Sequence, residues 1–278
     1  MRLEKKRNIF LIFVAYVLIL TSLSFLTVLF FKIVLHQDIH MLRQRGMQTD
    51  IGHSIFYFYM ILLAILFHKY WLKLSKKEIG IDFKGQRWIK EVLSGWGLSL
   101  SLSIFYSLIL VLFHKVTFPE SISLERWKFF LIQFPTVFGV AVVEEYVFRG
   151  LVFTLFKKAF PLIFSVIISS IIFSYAHFFN QSSLGYSDFL TSIGLFILGC
   201  LLCAAYLYKN SLFLPIGFHA GLVTFRLLNR KTHLFSYVQD TLLFGSNNDP
   251  RTGIITWGLF LLLLLYFLRK HFQLSKSP

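Results

Sequence analysis

The stretch Pro135–Phe156, PTVFGVAVVEEYVFRGLVFTLF, is apolar from end to end except for a central cluster of Glu144, Glu145 and Arg149. A helix needs ~20 residues to cross ~30 Å of hydrocarbon, so this run has the length of a membrane span. An acidic or basic side chain at mid-membrane costs about 2.5–3.5 kcal/mol on insertion scales. Three such groups within six residues are therefore expected to face a protein interior or a water-filled cavity, not lipid.

Working outward, runs of similar character lie near Ile9–Leu35, Ile51–Trp71, Val92–Phe113, Pro161–Phe179, Phe189–Tyr208, Leu212–Leu228 and Gly253–Leu268. The chain is 56% hydrophobic and only 15% charged, too apolar for one water-soluble core to hide. Lipid must be the solvent for most of it. The expected fold is all-α: a polytopic transmembrane helical bundle of about eight spans. It forms a single domain over residues 1–278, with a motif-bearing core at about 135–228. Met1–Asn8 is basic, but the run behind it is too long for a signal-peptide core and reads as a retained first span.

A net charge of +15 raises the question of nucleic acid. The lysines and arginines lie mainly at the ends of apolar runs, where they meet headgroups, and no basic stripe is interleaved with exposed aromatics. No nucleic-acid partner is expected. With the N-terminus inside, 18 of the 28 lysines and arginines fall in cytosolic connections, Arg149 included. The positive-inside rule then places both termini in the cytosol, in the plasma membrane. The segment Lys76–Lys90, KKEIGIDFKGQRWIK, reads as interfacial, with substrate docking as the alternative. Cys200 and Cys203 have no second pair to complete a zinc site and read as small packing residues.

Glu145 and Arg149 are i,i+4 neighbours and can pair, which leaves Glu144, rotated by about 100°, free to point elsewhere. Of nine histidines, His36, His40, His53, His68, His114, His233 and His271 lie at run ends or in loops, while His177 and His219 sit within apolar runs. Counted from the turn near Lys157–Phe160, Glu144 lies about 20 Å along an ideal helix and His177 about 24 Å. His219 lies about 15 Å beyond Lys209, on the same reckoning. The three are expected to converge in one intramembrane pocket. A desolvated glutamate can deprotonate water while histidines stabilise an oxyanion; equally, Glu144, His177 and His219 are adequate ligands for one divalent metal such as zinc. Both chemistries, metal-dependent and metal-free, stay open.

These residues resemble the CPBP family of CAAX-prenyl-protease, bacteriocin-processing and abortive-infection-like membrane proteins. The resemblance rests on Glu144-Glu145-x-x-x-Arg149, Phe173-x-x-x-His177 and His219-x-x-x-Val223, in that order. It implies an all-helical intramembrane endopeptidase, with Glu144 and His177 activating water and His219 near the scissile carbonyl. It also implies a membrane-associated protein or peptide substrate, CAAX-type or bacteriocin-like. Val223 departs from the family pattern, which has Asn or Asp there. Valine neither ligates metal nor donates a hydrogen bond, so either His219 alone serves the oxyanion or activity is weakened or lost. A non-catalytic immunity or scaffold protein of the same fold is one alternative, and a transporter using the ionisable residues as a relay is another.

Overall fold

Backbone polar groups find no partner in hydrocarbon, so a chain this apolar must satisfy them within helices. The computed structural model describes residues 2–33, 47–177, 185–246 and 249–276. Helix α1 spans Arg2–Ile33, and α2 spans Met47–Leu66 and runs on as a π-helical segment, Phe67–Leu72. Next come α3 (Arg87–Leu112) and α4 (Leu124–Glu145), which passes through a π-helical segment, Tyr146–Phe153, into α5 (Thr154–Ala159). Helices α6 (Leu162–Ala176), α7 (Tyr186–Lys209), α8 (Phe213–Thr232) and α9 (Ile254–Lys276) complete the order. A short antiparallel pair, β1 (Val116–Thr117) with β2 (Ser236–Tyr237), joins the connections after α3 and α8.

The all-α bundle is as expected, and it belongs to an integral membrane protein. Among the described residues, five stretches are long and apolar enough to cross a bilayer: Ile55–Leu72, Arg87–Leu112, Leu124–Ala159, Tyr186–Lys209 and Ile254–Ser275. Leu11–Leu23 and Leu162–Ala176 are shorter apolar helices. A count of eight thus depends on shorter or more polar helices. Outward faces carry large apolar side chains such as Leu112, Ile132, Ile163 and Leu262, the pattern of a lipid-facing surface.

The span that begins at Pro135 in the sequence reading in fact begins at Leu124. Pro135 lies inside the helix, where it removes one backbone donor without ending the run. The resulting 36-residue helix, Leu124–Ala159, would measure about 54 Å if ideal, more than a bilayer's thickness. Its π-helical segment starts directly after the two glutamates, and every residue of Val147–Phe153 is buried. π-Segments of this kind recur at functional sites, because they turn side chains away from the regular helical register. Thr154 Oγ1 donates to the Arg149 carbonyl at 3.0 Å within this wound region.

Helix α8 packs most extensively against α3 and α4, and α7 against α6 and α9. The α3–α8 approach depends on glycine: a Cβ on Gly217 would overlap the Val92 carbonyl, and one on Gly95 the Leu214 carbonyl. Small residues at such crossings let backbones meet closely within membranes. The main core gathers Val147, Phe148, Phe173, Leu201 and Phe218 around the α4–α8 region. Cys200 and Cys203 are free and buried, as packing residues should be.

The basic connection behaves less simply than a surface segment. Ile79 is fully buried, and Leu212 N donates to the Gly80 carbonyl at 2.9 Å, so this turn is anchored beneath the start of α8. His36 and His40 lie outside the described residues.

Candidate active site

Three helices supply the carboxylates and imidazoles of the site. Glu144 and Glu145 end α4, His219 lies in the second turn of α8, and His177 caps the C-terminus of α6. His177 is thus at a helix end and not deep within a span, because α6 stops at Ala176. The height match expected from helix rise nevertheless holds, since His177 Nε2 lies 3.5 Å from Glu144 Oε2. His219 Nε2 lies 3.7 Å from the same oxygen. Both separations are at or beyond the outer limit of a hydrogen bond. Glu144, Glu145, Arg149 and His219 are buried, whereas the His177 side chain is 26% exposed and forms the accessible edge of the site.

Glu145 and Arg149 pair at i,i+4 as anticipated, with Nη1 donating to Oε1 at 2.9 Å. The pairing is only part of what Glu145 does: the same Oε1 lies 2.7 Å from His219 Nδ1. Arg149 also donates from Nη2 to the Gly199 carbonyl at 3.2 Å, and its guanidinium stacks 4.4 Å from the centre of the Phe173 ring. A fully buried guanidinium is tolerated because its charge meets a carboxylate and its remaining donors meet a carbonyl and a ring face.

The second histidine is oriented by backbone. His177 Nδ1 lies 2.8 Å from the Phe173 carbonyl, which can only accept, so Nδ1 carries the proton and Nε2 is turned toward Glu144. His219 follows the same logic, with Nδ1–H on Glu145 and Nε2 facing Glu144. Two imidazoles therefore present their Nε2 atoms to one carboxylate oxygen.

Tyr57, from α2, is the contributor that the sequence reading missed. Its hydroxyl donates to Glu144 Oε1 at 2.7 Å and fixes the carboxylate so that Oε2 faces the histidines. No motif could single it out among 12 tyrosines and 34 phenylalanines in apolar runs. His68, read as a run-end residue, contacts the Tyr146 hydroxyl at 3.1 Å and ties α2 to the π-segment.

One carboxylate and two imidazoles suit zinc chemically, and each histidine's other nitrogen is held by an oxygen, as in ligating histidines. Glu144 Oε2 is buried and makes no hydrogen bond among the described residues, so the donor set fits a small cation or a water. As they stand, no three His, Cys, Asp or Glu side chains among the described residues form a closed metal-holding group.

Helical spans enclosing a buried carboxylate faced by two imidazoles define an integral membrane protein with a polar centre inside its bundle. Residues 126–225 match the family model for the Type II CAAX prenyl endopeptidase Rce1-like proteins. The stretch includes Glu144, Glu145, Arg149, His177, His219 and Val223, and over it the resemblance seen in the three motifs is borne out. The match supports a CAAX-type intramembrane endopeptidase. No curated protein and no solved structure matches the chain.

Proposed function

We propose that this protein hydrolyses a peptide bond of a membrane-associated substrate, with Glu144 as the base that activates water. The observation that carries this reading is the convergence of Tyr57, His177 and His219 on one buried carboxylate. Water bridging Glu144 Oε2 and His177 Nε2 from the open side of the pair loses a proton to Glu144 as its oxygen attacks the scissile carbonyl. His219, protonated and held through Nδ1 by Glu145, donates from Nε2 to the oxyanion that forms. Glu144 then passes its proton to the departing amine, and the peptide bond breaks.

Charge balance favours this division. Two buried carboxylates face one guanidinium, which leaves a deficit of one positive charge that a proton on the imidazole pair makes good. Zinc is the second way of meeting that deficit: Glu144, His177 and His219 would hold it, and its chemistry is Lewis-acid activation of the water. The metal-free form is the simpler of the two, because Glu144 and the imidazoles suffice for each proton transfer.

The test is a comparison of membrane proteomes from cells carrying wild type and Glu144→Ala. A substrate present as a shortened product with wild type should accumulate at full length with the variant. Identical proteomes would shift the reading to a non-catalytic member of the same fold, which the valine at position 223 also favours.

A further inference from the structure

Where α3 begins and α7 ends, a cavity of about 420 Å³ opens at one membrane face. Gln86, Arg87, Lys90, Glu91, Ser94 and Lys209 line it, and Leu214 supplies an apolar wall. Arg87 braces it, donating from Nε to Glu91 at 2.8 Å and from Nη2 to the Lys209 carbonyl at 3.1 Å. Glu91 is buried, so its charge is taken up by Arg87. Lys90 is then left to meet an anion, with Lys209, whose ammonium rests 4.3 Å from the centre of the Tyr208 ring, as the second cation at the cavity.

The surroundings fix what kind of anion. Phe83, Trp88 and Phe213 form a contacting cluster beside the cavity, with ring centroids 5.2 to 5.8 Å apart, and Phe83 is exposed. Trp88 is of a residue type enriched at headgroup depth in a bilayer, and it lies in the first turn of α3 beside the cavity-lining Arg87. One turn apart on α3, Ile89 and Leu93 are exposed and apolar, a surface along which acyl chains can lie. Basic pockets between spans are suited to lipid headgroups.

We infer that this cavity binds the phosphate headgroup of an anionic phospholipid. Lys90 and Lys209 pair with the phosphate, Gln86 and Ser94 reach its ester and glycerol oxygens, and the acyl chains cover Ile89 and Leu93. The site is separate from the glutamate–histidine centre and makes no use of its chemistry.

Native mass spectrometry of the full chain in detergent, titrated with phosphatidylglycerol or phosphatidylcholine, tests this directly. Wild type should retain phosphatidylglycerol selectively. Each of Lys90→Gln and Lys209→Gln should weaken retention about fivefold, equivalent to about 1 kcal/mol per basic residue. Lys90→Gln breaks no hydrogen bond within the described residues, so it remains informative if Lys209→Gln folds poorly. Equal retention of phosphatidylcholine would overturn the inference. So would an equal loss in a Lys69→Gln, Lys270→Gln control, which would indicate diffuse surface charge. Inorganic phosphate that displaces the lipid at equal concentration would assign the site to a free anion instead.

Discussion

His219 and Glu145, 74 positions apart in the chain, meet through a 2.7 Å contact between Nδ1 and Oε1. That contact joins α8 to the end of α4 and puts Glu145 on the Nδ1 side of the imidazole, away from the Nε2 that faces Glu144. It also gives the two adjacent glutamates different partners, Tyr57 for Glu144 and Arg149 with His219 for Glu145.

Glu144→Gln should abolish cleavage while leaving the melting temperature near that of wild type, because Tyr57 can still hydrogen-bond the amide. Glu145→Gln should destabilise the protein by about 3–5 kcal/mol, since Arg149 is left as a buried charge without its partner. Parallel thermal melts and cleavage assays check both. Equal activity losses in two equally stable variants would remove the basis for the division.

Tyr57→Phe should lower kcat about tenfold, or about 1.4 kcal/mol, with little change in KM. The lost hydroxyl frees Glu144 Oε1 and lets the carboxylate rotate away from the histidines. Steady-state kinetics on any cleaved peptide reads this. Unchanged kcat would show that packing alone positions Glu144.

Val223 lies one turn beyond His219 on α8, on the same face. Val223→Asn should raise the cleavage rate by about 10²-fold, the scale of one oxyanion donor gained. The gain should vanish when Glu144→Ala is added. Robust wild-type cleavage that the substitution leaves unchanged would mean that another group already serves the oxyanion.

Asp249 provides a pH signature outside the membrane spans. Burial alone would raise its pKa, but the charges and hydrogen bonds of Arg251, then Arg226, outweigh this and hold it at about 2. A carboxylate depressed in the folded state stabilises the fold above its unfolded pKa, and the benefit is lost as pH falls through the folded value. Asp249→Asn should therefore cost about 2 kcal/mol at neutral pH. The difference from wild type should shrink between about pH 4 and pH 2. Denaturation midpoints across that range test the sign, and a gap that widens on acidification would contradict it.

Both termini should lie on the cytosolic side, as the distribution of basic residues implies. Single cysteines at Glu4 and Ser275 should resist an impermeant maleimide in intact cells and react once the membrane is opened. Cys200 and Cys203 are buried and should contribute little background. Labelling of either engineered position from outside would reverse the topology.

The sequence alone determined the solvent and the kinds of side chain gathered within it. Long apolar runs require lipid, and lipid permits little but helices. Within a helix, spacing fixes which side chains share a face, so the Glu145–Arg149 pair and the freedom of Glu144 were readable in advance. Helical rise even brought Glu144, His177 and His219 to similar depths. What spacing along one helix cannot say is which neighbouring helix each face meets. Tyr57 reaches Glu144 because α2 packs beside the end of α4, and His219 reaches Glu145 because α8 packs against α4, contacts that no spacing within one helix prescribes. Local periodicity is encoded residue by residue, whereas partner choice is set by the packing of whole surfaces, and that was decided only in the tertiary structure.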